Sequence, residues 1–260
     1  MTDRVLEVGD GFWNIRGSFK VAGLLDVGTH ASLVRRSNGK LVFLDSYTFK
    51  GEVDREVRAL TNDGADVEAV LNVHPFHTVH VRGMHERFPN AKHYGTARHL
   101  ARYPKLRWQA LRTEDAELHQ MFSEDFDFSI PRGVDFISSN ENIHFSSVLV
   151  YHRASKTIHV DDTLNYTKLP KAARLVGQTD STTFQPTLPF ALEKRAGAAQ
   201  EFRRWAEELA ERWGEAQNLC TAHTGALLGR NNEGASIHDR ILEALEKKAR
   251  TLRRHERKHG

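Results

Sequence analysis

Six of the fifteen histidines, His74, His77, His80, His85, His93 and His99, crowd into one stretch, and that stretch opens where a core strand should end. Residues 67–73 are rich in Val and Leu and follow a turn signal, Asn62-Asp63-Gly64, so they read as a buried strand. His74 comes immediately after it. Histidine is a common metal ligand and the usual proton-transfer residue near neutral pH. A strand that runs straight into a histidine cluster places that chemistry at the edge of a sheet.

The rest of the chain is consistent with a folded domain around such a sheet. It is 39% hydrophobic and 27% charged over 260 residues, as expected of a soluble globular protein rather than a disordered or low-complexity one. No apolar run approaches the roughly 20 residues of a membrane helix. Met1-Thr2-Asp3-Arg4 does not begin a signal peptide, and Cys220 is the one cysteine, so the expected setting is a reducing cytoplasm. A net charge of +3 is too small to imply nucleic acid.

The first third reads as β structure. Short apolar segments flank Gly9-Asp10-Gly11, and two strand-like runs flank Asn38-Gly39, which signals a hairpin. Val53, Val57 and Leu60 are spaced as on a helix face. A short strand is predicted at 92–94 and a helix near 97–102. Residues 103–133 read as an irregular insert containing Trp108, Met121, Phe122, Phe126 and Phe128. Strands are expected at 134–138, 146–152 and 157–160, and a loop at about 179–189. Phe202, Trp205, Ala206, Leu209, Ala210 and Trp213 define an amphipathic helix, and 218–222 a last short strand. Ser236 and Asp239 pair as a cap for one basic C-terminal helix over about 236–256. With no repeat and no linker, residues 1–260 are expected to form a single domain.

Chemistry-bearing residues recur at strand ends. Asp45-Ser46 closes one strand, and His74, His77 and His80 follow another. His144 is expected to start a strand pair that ends in Asp161-Asp162, and His223 to end the last strand. Ligands gathered at one edge of a sheet are how a rigid scaffold builds a metal site. The other histidines, His85, His93, His99, His119, His152, His159, His238, His255 and His259, are expected to be surface or hydrogen-bonded residues. Cys220 is expected to be a small core residue.

These residues resemble the metallo-β-lactamase fold superfamily. Its signature is a strand, then Thr-His-x-His-x-Asp-His-x-Gly-Gly, a later His, a Gly-Asp pair and a final Gly-His. The resemblance runs from about residue 5 to 228. Asp45-Ser46 stands where the family has Asp-Thr-Gly or Asp-Ser-Gly, and Ile143-His144-Phe145-Ser146-Ser147-Val148 looks like its His-Thr-Pro-Gly-Ser segment. Asp162 matches the bridging carboxylate, with Asp161 in place of glycine, and Ala222-His223-Thr224-Gly225 resembles the final Gly-His-Gly. Reading back from Gly83, His80 and His77 match the last two motif histidines. Val79 stands at the acidic position, and Pro75 at the first histidine, displacing His74 by one residue.

The resemblance implies an α+β fold, a four-layer αββα sandwich. It implies a metal-dependent hydrolase of a small-molecule ester, lactone, thioester or amide, using a metal-bound water. The implied metal ligands are His74, His77, His80, His144, Asp162 and His223, with Asp162 and His80 also catalytic. Zinc is the implied ion, one or two per chain, with iron or manganese as alternatives. The loss of the motif aspartate at Val79 predicts about one tightly held ion per chain, or none, rather than two, and Asp161 is the candidate replacement should two bind. Two other readings stay open: a mononuclear-iron oxygenase-like member using His74 or His77, His144 and Asp162, and a non-catalytic member of the fold. The expected partner is a small molecule. Neither membrane nor nucleic acid is expected, since no aromatics interleave with the cations beyond Ala235. Self-association is left open.

Overall fold

The computed structural model describes residues 3–260 apart from 19, 22–24, 27, 170–179, 224 and 233. In its first half, β1 (Arg4–Gly9) and β2 (Phe12–Gly17) form a hairpin turning at Gly11. The two-residue strands β3 (Lys20–Val21) and β4 (Leu25–Asp26) pair with each other. β5 (Thr29–Arg35) and β6 (Leu41–Leu44) form the predicted Asn-Gly hairpin, with Gly39 at φ +82°. Then come α1 (Gly51–Thr61), β7 (Val67–Leu71), α2 (Val81–Arg87), β8 (Lys92–Tyr94), α3 (Ala97–Arg102) and α4 (Ala116–Met121). The second half holds β9 (Phe126–Ser129), β10 (Leu149–His152), β11 (Thr157–Val160), the ribbon β12 (Leu164–Thr167) and β13 (Ser181–Phe184), and α5 (Leu188–Ala191). It ends with α6 (Ala198–Arg212), β14 (Asn218–Thr221), β15 (Ala226–Leu227), α7 (Ile237–Glu246) and α8 (Ala249–His259).

Two sheets result, one ordered β1-β2-β5-β6-β7-β8 and the other β15-β14-β11-β10-β9. Side-chain alternation along their strands sets the layers. Leu41, Phe43 and Val70 pack outward with Val53 and Val57 of α1 and Met84 of α2. Their neighbours Val42, Leu44, Ala69 and Leu71 pack inward, in one core with Phe126, Phe128, Val150 and Cys220 of the second sheet. Leu149, Tyr151, Ile158 and Leu219 face away on the other side, against Phe202, Trp205 and Leu209 of α6 and Ile241 of α7. Three cores between helices, sheet, sheet and helices make the αββα arrangement. Cys220 is fully buried and free, a core residue as expected. No helix among the described residues is long and apolar enough to cross a membrane.

Several sequence expectations need correction. Residues 103–133 are no appended insert: they carry α4 and the edge strand β9, whose Phe126 and Phe128 enter the core between the sheets. The predicted strand at 134–138 reduces to one bridge, Val134 to Leu192. The predicted strand at 146–152 begins only at Leu149, because the Ser147 and Val148 amides bond to Thr163 Oγ1 and to Val73 O across the sandwich. His144 therefore lies in a loop. The expected loop at 179–189 contains β13 and α5, formed because β12 offers a ladder; Thr179 itself lies outside the described residues, as does Thr224 of the final motif. The C-terminal helix is two helices. Lys248 N bonds to Leu245 O, a tight three-residue step at which α7 stops and α8 starts.

Candidate metal centre

The site forms where β6, β7, β11 and β14 end on one side of the sandwich. Asp45 follows β6 with φ +62°, a left-handed conformation that is costly for a residue with a side chain. Its buried carboxylate accepts the amides of Val73 (2.8 Å) and His74 (3.4 Å) through Oδ1. Asp45 thus pins the start of the histidine loop. Ser46 Oγ donates to Asn72 Oδ1, and Asn72 Nδ2 donates to Tyr94 O. Tyr103 Oη holds Thr78 O farther along the loop.

Asp162, which follows β11, is the centre of the arrangement. His223 Nε2 lies 3.0 Å from its Oδ1, while His74 Nε2 and His77 Nε2 lie 3.3 and 3.7 Å from its Oδ2. His74, His77 and Asp162 offer ligand atoms that all lie within 4.8 Å of one another. The extra residue between His74 and His77 has not turned His74 away; His74 is fully buried and reaches Asp162.

The far nitrogens sort these rings. His77 Nδ1 faces Asp45 Oδ2 at 3.1 Å, and His223 Nδ1 faces the carbonyl of Gly28 at 2.8 Å. Both partners only accept, so each ring carries a proton on Nδ1, and its Nε2 is the nitrogen turned toward Asp162, where a proton or a metal ion can be shared with the carboxylate. Such an outer partner is what orients a metal-binding imidazole. His74 is set the other way. The Phe76 amide donates to its Nδ1 (3.1 Å), which leaves the proton on Nε2.

Charge follows from the same contacts. Burial opposes ionisation of Asp162, but bonds from His223, His74 and His77 hold it well below the ordinary carboxylate range. Burial opposes protonation of His77 as well, yet Asp161, Asp162 and Asp45 outweigh it and raise its pKa well above the usual value. His223 is raised for the same reason, by Asp162. Asp45 is pushed up to about 7 by burial and then by the charge of Asp161. Three buried carboxylates around two imidazoles form an electron-rich hollow. His80 Nε2 is buried close by, on the lining of the same cavity, without a hydrogen-bond partner. A divalent cation fits that donor set.

His80 and His144 line the same cavity, about 110 Å³, together with Thr29, Ser46, Phe76, His77, Val79, Asp162 and His223. Neither is brought to Asp162. His80 Nδ1 is held by Thr48 Oγ1 (2.9 Å), its ring sits edge-on to Tyr47, and burial lowers its pKa to about 4. His144 Nε2 donates to Glu141 O (2.6 Å), and its ring stacks on Phe76 at the cavity wall. Val79, at the motif's acidic position, is 67% exposed on the rim.

Sequence reading passed over a second polar group behind the first. His30, His159 and Asp161 meet between the sheets, all fully buried. The available signal was alternation: Asn14 and Arg16 on β2 and His30 and Ser32 on β5 fall in phase with the inward Phe12 and Val34, and His159 alternates with the outward Ile158 and Val160 of β11.

No protein-family model and no curated protein matches the chain. Solved structures do match. DIM-1 metallo-β-lactamase exposed to ceftazidime superposes with a TM-score of 0.58 at 15% identity, over 95% of this chain and 98% of its own. A metallo-β-lactamase from Erythrobacter litoralis with β-mercaptoethanol in the active site gives 0.59 at 14% identity, over 94% and 96%. FIM-1 from Pseudomonas aeruginosa in its mono-zinc form gives 0.56 at 11% identity, over 95% and 96%. With the paired sheets, the flanking helices and the histidine and aspartate cluster at one edge, these likenesses make the conclusion plain: this chain has the metallo-β-lactamase fold.

Proposed function

We propose that the protein is a metal-dependent hydrolase holding one divalent ion, zinc in the first instance, between His77, His223 and Asp162. The observation that carries this reading is the commitment of both Nδ1 atoms to acceptors, which turns two Nε2 atoms toward one buried carboxylate. Two imidazoles and a carboxylate leave further positions of the ion open. The bound ion would supply a nucleophilic water by lowering its pKa toward ~7. His74, with its proton on Nε2, steadies the carboxylate of Asp162. His80, neutral at pH 7 with its Nε2 unpaired in the cavity, is placed to take up or return a proton at the substrate. Phe76 and Val79 give the cavity an apolar rim, and its size suits a small ester, lactone, thioester or amide. The mono-zinc form known for FIM-1 supports a single-ion site in this fold.

The test is metal analysis of dialysed, untagged protein, followed by a screen of small lactones and esters. About one equivalent of zinc per chain is expected, with activity lost to a chelator and restored by zinc. Two tightly held equivalents would overturn the single-ion reading, and none would overturn the metal reading. The same set of two histidines and one carboxylate favours a second reading, a non-haem iron oxygenase. Iron in the purified protein, with oxygen consumption and no hydrolysis, would decide for it.

A further inference from the structure

The polar group behind the metal centre has a hydrogen-bond direction that can be followed from one end. Arg16 Nη1 faces Asn14 Oδ1 at 3.4 Å. A guanidinium only donates, so the Asn14 amide turns its oxygen to Arg16 and its NH2 inward. That NH2 reaches His30 Nδ1 at 3.1 Å and Ser32 Oγ at 3.0 Å. It too only donates, so His30 Nδ1 is an acceptor and the His30 proton sits on Nε2, 3.1 Å from Asp161 Oδ1. Ser32 Oγ, which accepts from Asn14, has its one proton left to give to His159 Nδ1 at 2.9 Å. That places the His159 proton on Nε2, but at 3.9 Å from Asp161 Oδ2 it makes no hydrogen bond there. Burial keeps both rings neutral, His159 at about 4 and His30 well below its ordinary value.

The three ligand-type atoms lie within 4.8 Å of one another, so a buried metal at His30, His159 and Asp161 is the rival explanation. Ring geometry opposes it. The two imidazoles stack at 4.4 Å with an interplanar angle of 7°. The in-plane lone pairs of parallel rings run side by side and do not converge on one ion. The bond directions also put protons on the nitrogens that would have to ligate.

We propose that His30, with His159 stacked against it, is the donor that fixes Asp161 as a positioning residue for His77, so that this aspartate steers a ligand and is not one itself. Asp161 Oδ1 lies 3.5 Å from His77 Nδ1, on the same face as Asp45. Two carboxylates thereby hold the Nδ1 proton of His77 and keep its Nε2 turned toward Asp162. An outer-shell carboxylate of this kind both orients a metal-bound imidazole and strengthens it as a donor. The inference rests on the metal centre proposed above.

The test begins with long-range 15N spectra of the 15N-histidine-labelled full chain, metal-free and near neutral pH, with His30→Gln and His159→Gln used for assignment. Both rings are expected as the Nε2–H tautomer; an Nδ1–H tautomer for His30 would overturn the proposal without any variant having to fold. Zinc affinity is then read by competition with a chromophoric chelator. His30→Gln keeps a donor toward Asp161 and is expected within a few-fold of wild type, whereas His30→Leu is expected to lose ~10–100-fold. Equal losses in both would reduce the network to structural support. Loss of the Nε2 protons of His30 and His159 on adding zinc would make the trio a metal site instead. If wild type bound no zinc, the proposed function would fall, and the His30 tautomer alone would still decide whether Asp161 is held by that donor.

Discussion

His144 and His223 stood as equal candidates in the sequence, and what each does with its other nitrogen separates them. His223 gives Nδ1 to a backbone carbonyl and turns Nε2 to Asp162; His144 spends Nε2 on Glu141 O and stacks on Phe76. His144→Ala is therefore expected to retain zinc, and His223→Ala to bind it at least ~10–100-fold more weakly, since even outer-shell losses cost that much. Equilibrium dialysis against zinc checks the pair, and metal loss from the His144 variant would return it to the ligand set. Nothing in the sequence distinguishes the two residues. Which nitrogen is committed depends on a carbonyl close in sequence for His144, and on one 195 residues away for His223.

Among the elements, the most local features were the most legible. The Ser236–Asp239 pair caps α7 as its spacing suggests: Ser236 Oγ accepts the Asp239 amide at 3.1 Å. Ser236→Ala is expected to cost about 1 kcal/mol, the usual worth of an N-cap, in a chemical denaturation experiment, with zinc affinity unchanged. The α6 stripe and the Asn38-Gly39 hairpin follow from equally local periodicity and turn chemistry. Elements whose limits depend on a remote partner were misjudged. β13 exists because β12 pairs with it. β9 is a strand because β10 lies alongside, and β10 itself starts late because two amides just before it bond elsewhere.

At the scale of the whole molecule, the inner and outer cores are studded with histidines that burial keeps neutral. His80, His93, His152 and His159 are lowered to about 4, and His99 to about 3. The unfolded chain takes up these protons near pH 6.5, while the folded chain resists until about pH 4. Between those values the unfolded state binds more protons, so stability falls as pH falls, by up to ~1.4 kcal/mol per pH unit for each such ring. Asp45, raised to about 7, works in the opposite sense through most of that window, but it is one group against several. His77 and His223, whose pKa values are raised, contribute stability that is complete below 6.5 and lost only as pH rises above it. Denaturation of chelated protein is therefore expected to show a steep loss of stability from about pH 6.5 to 4. His152→Phe, which puts an apolar ring between Phe12 and Phe126, should flatten that slope; an unchanged slope would show that His152 is already charged in the fold.

The sequence by itself determined the edge at which the histidines gather, and through its resemblance to a known superfamily the α+β class. The first is carried by turn residues and the placement of His74, His77, Asp162 and His223 near strand ends, which are local features. Tertiary structure alone decided which histidines face Asp162, which nitrogen of each carries the proton, and that His30, His159 and Asp161 meet at all. His30 and Asp161 are 131 positions apart, one on β5 and the other just past the end of β11 in the second sheet, and come together only when the inner faces close. A hydrogen bond has a direction, and that direction is fixed by what lies at the far side of each ring. For His223 and His159 that far side is supplied by the other half of the chain.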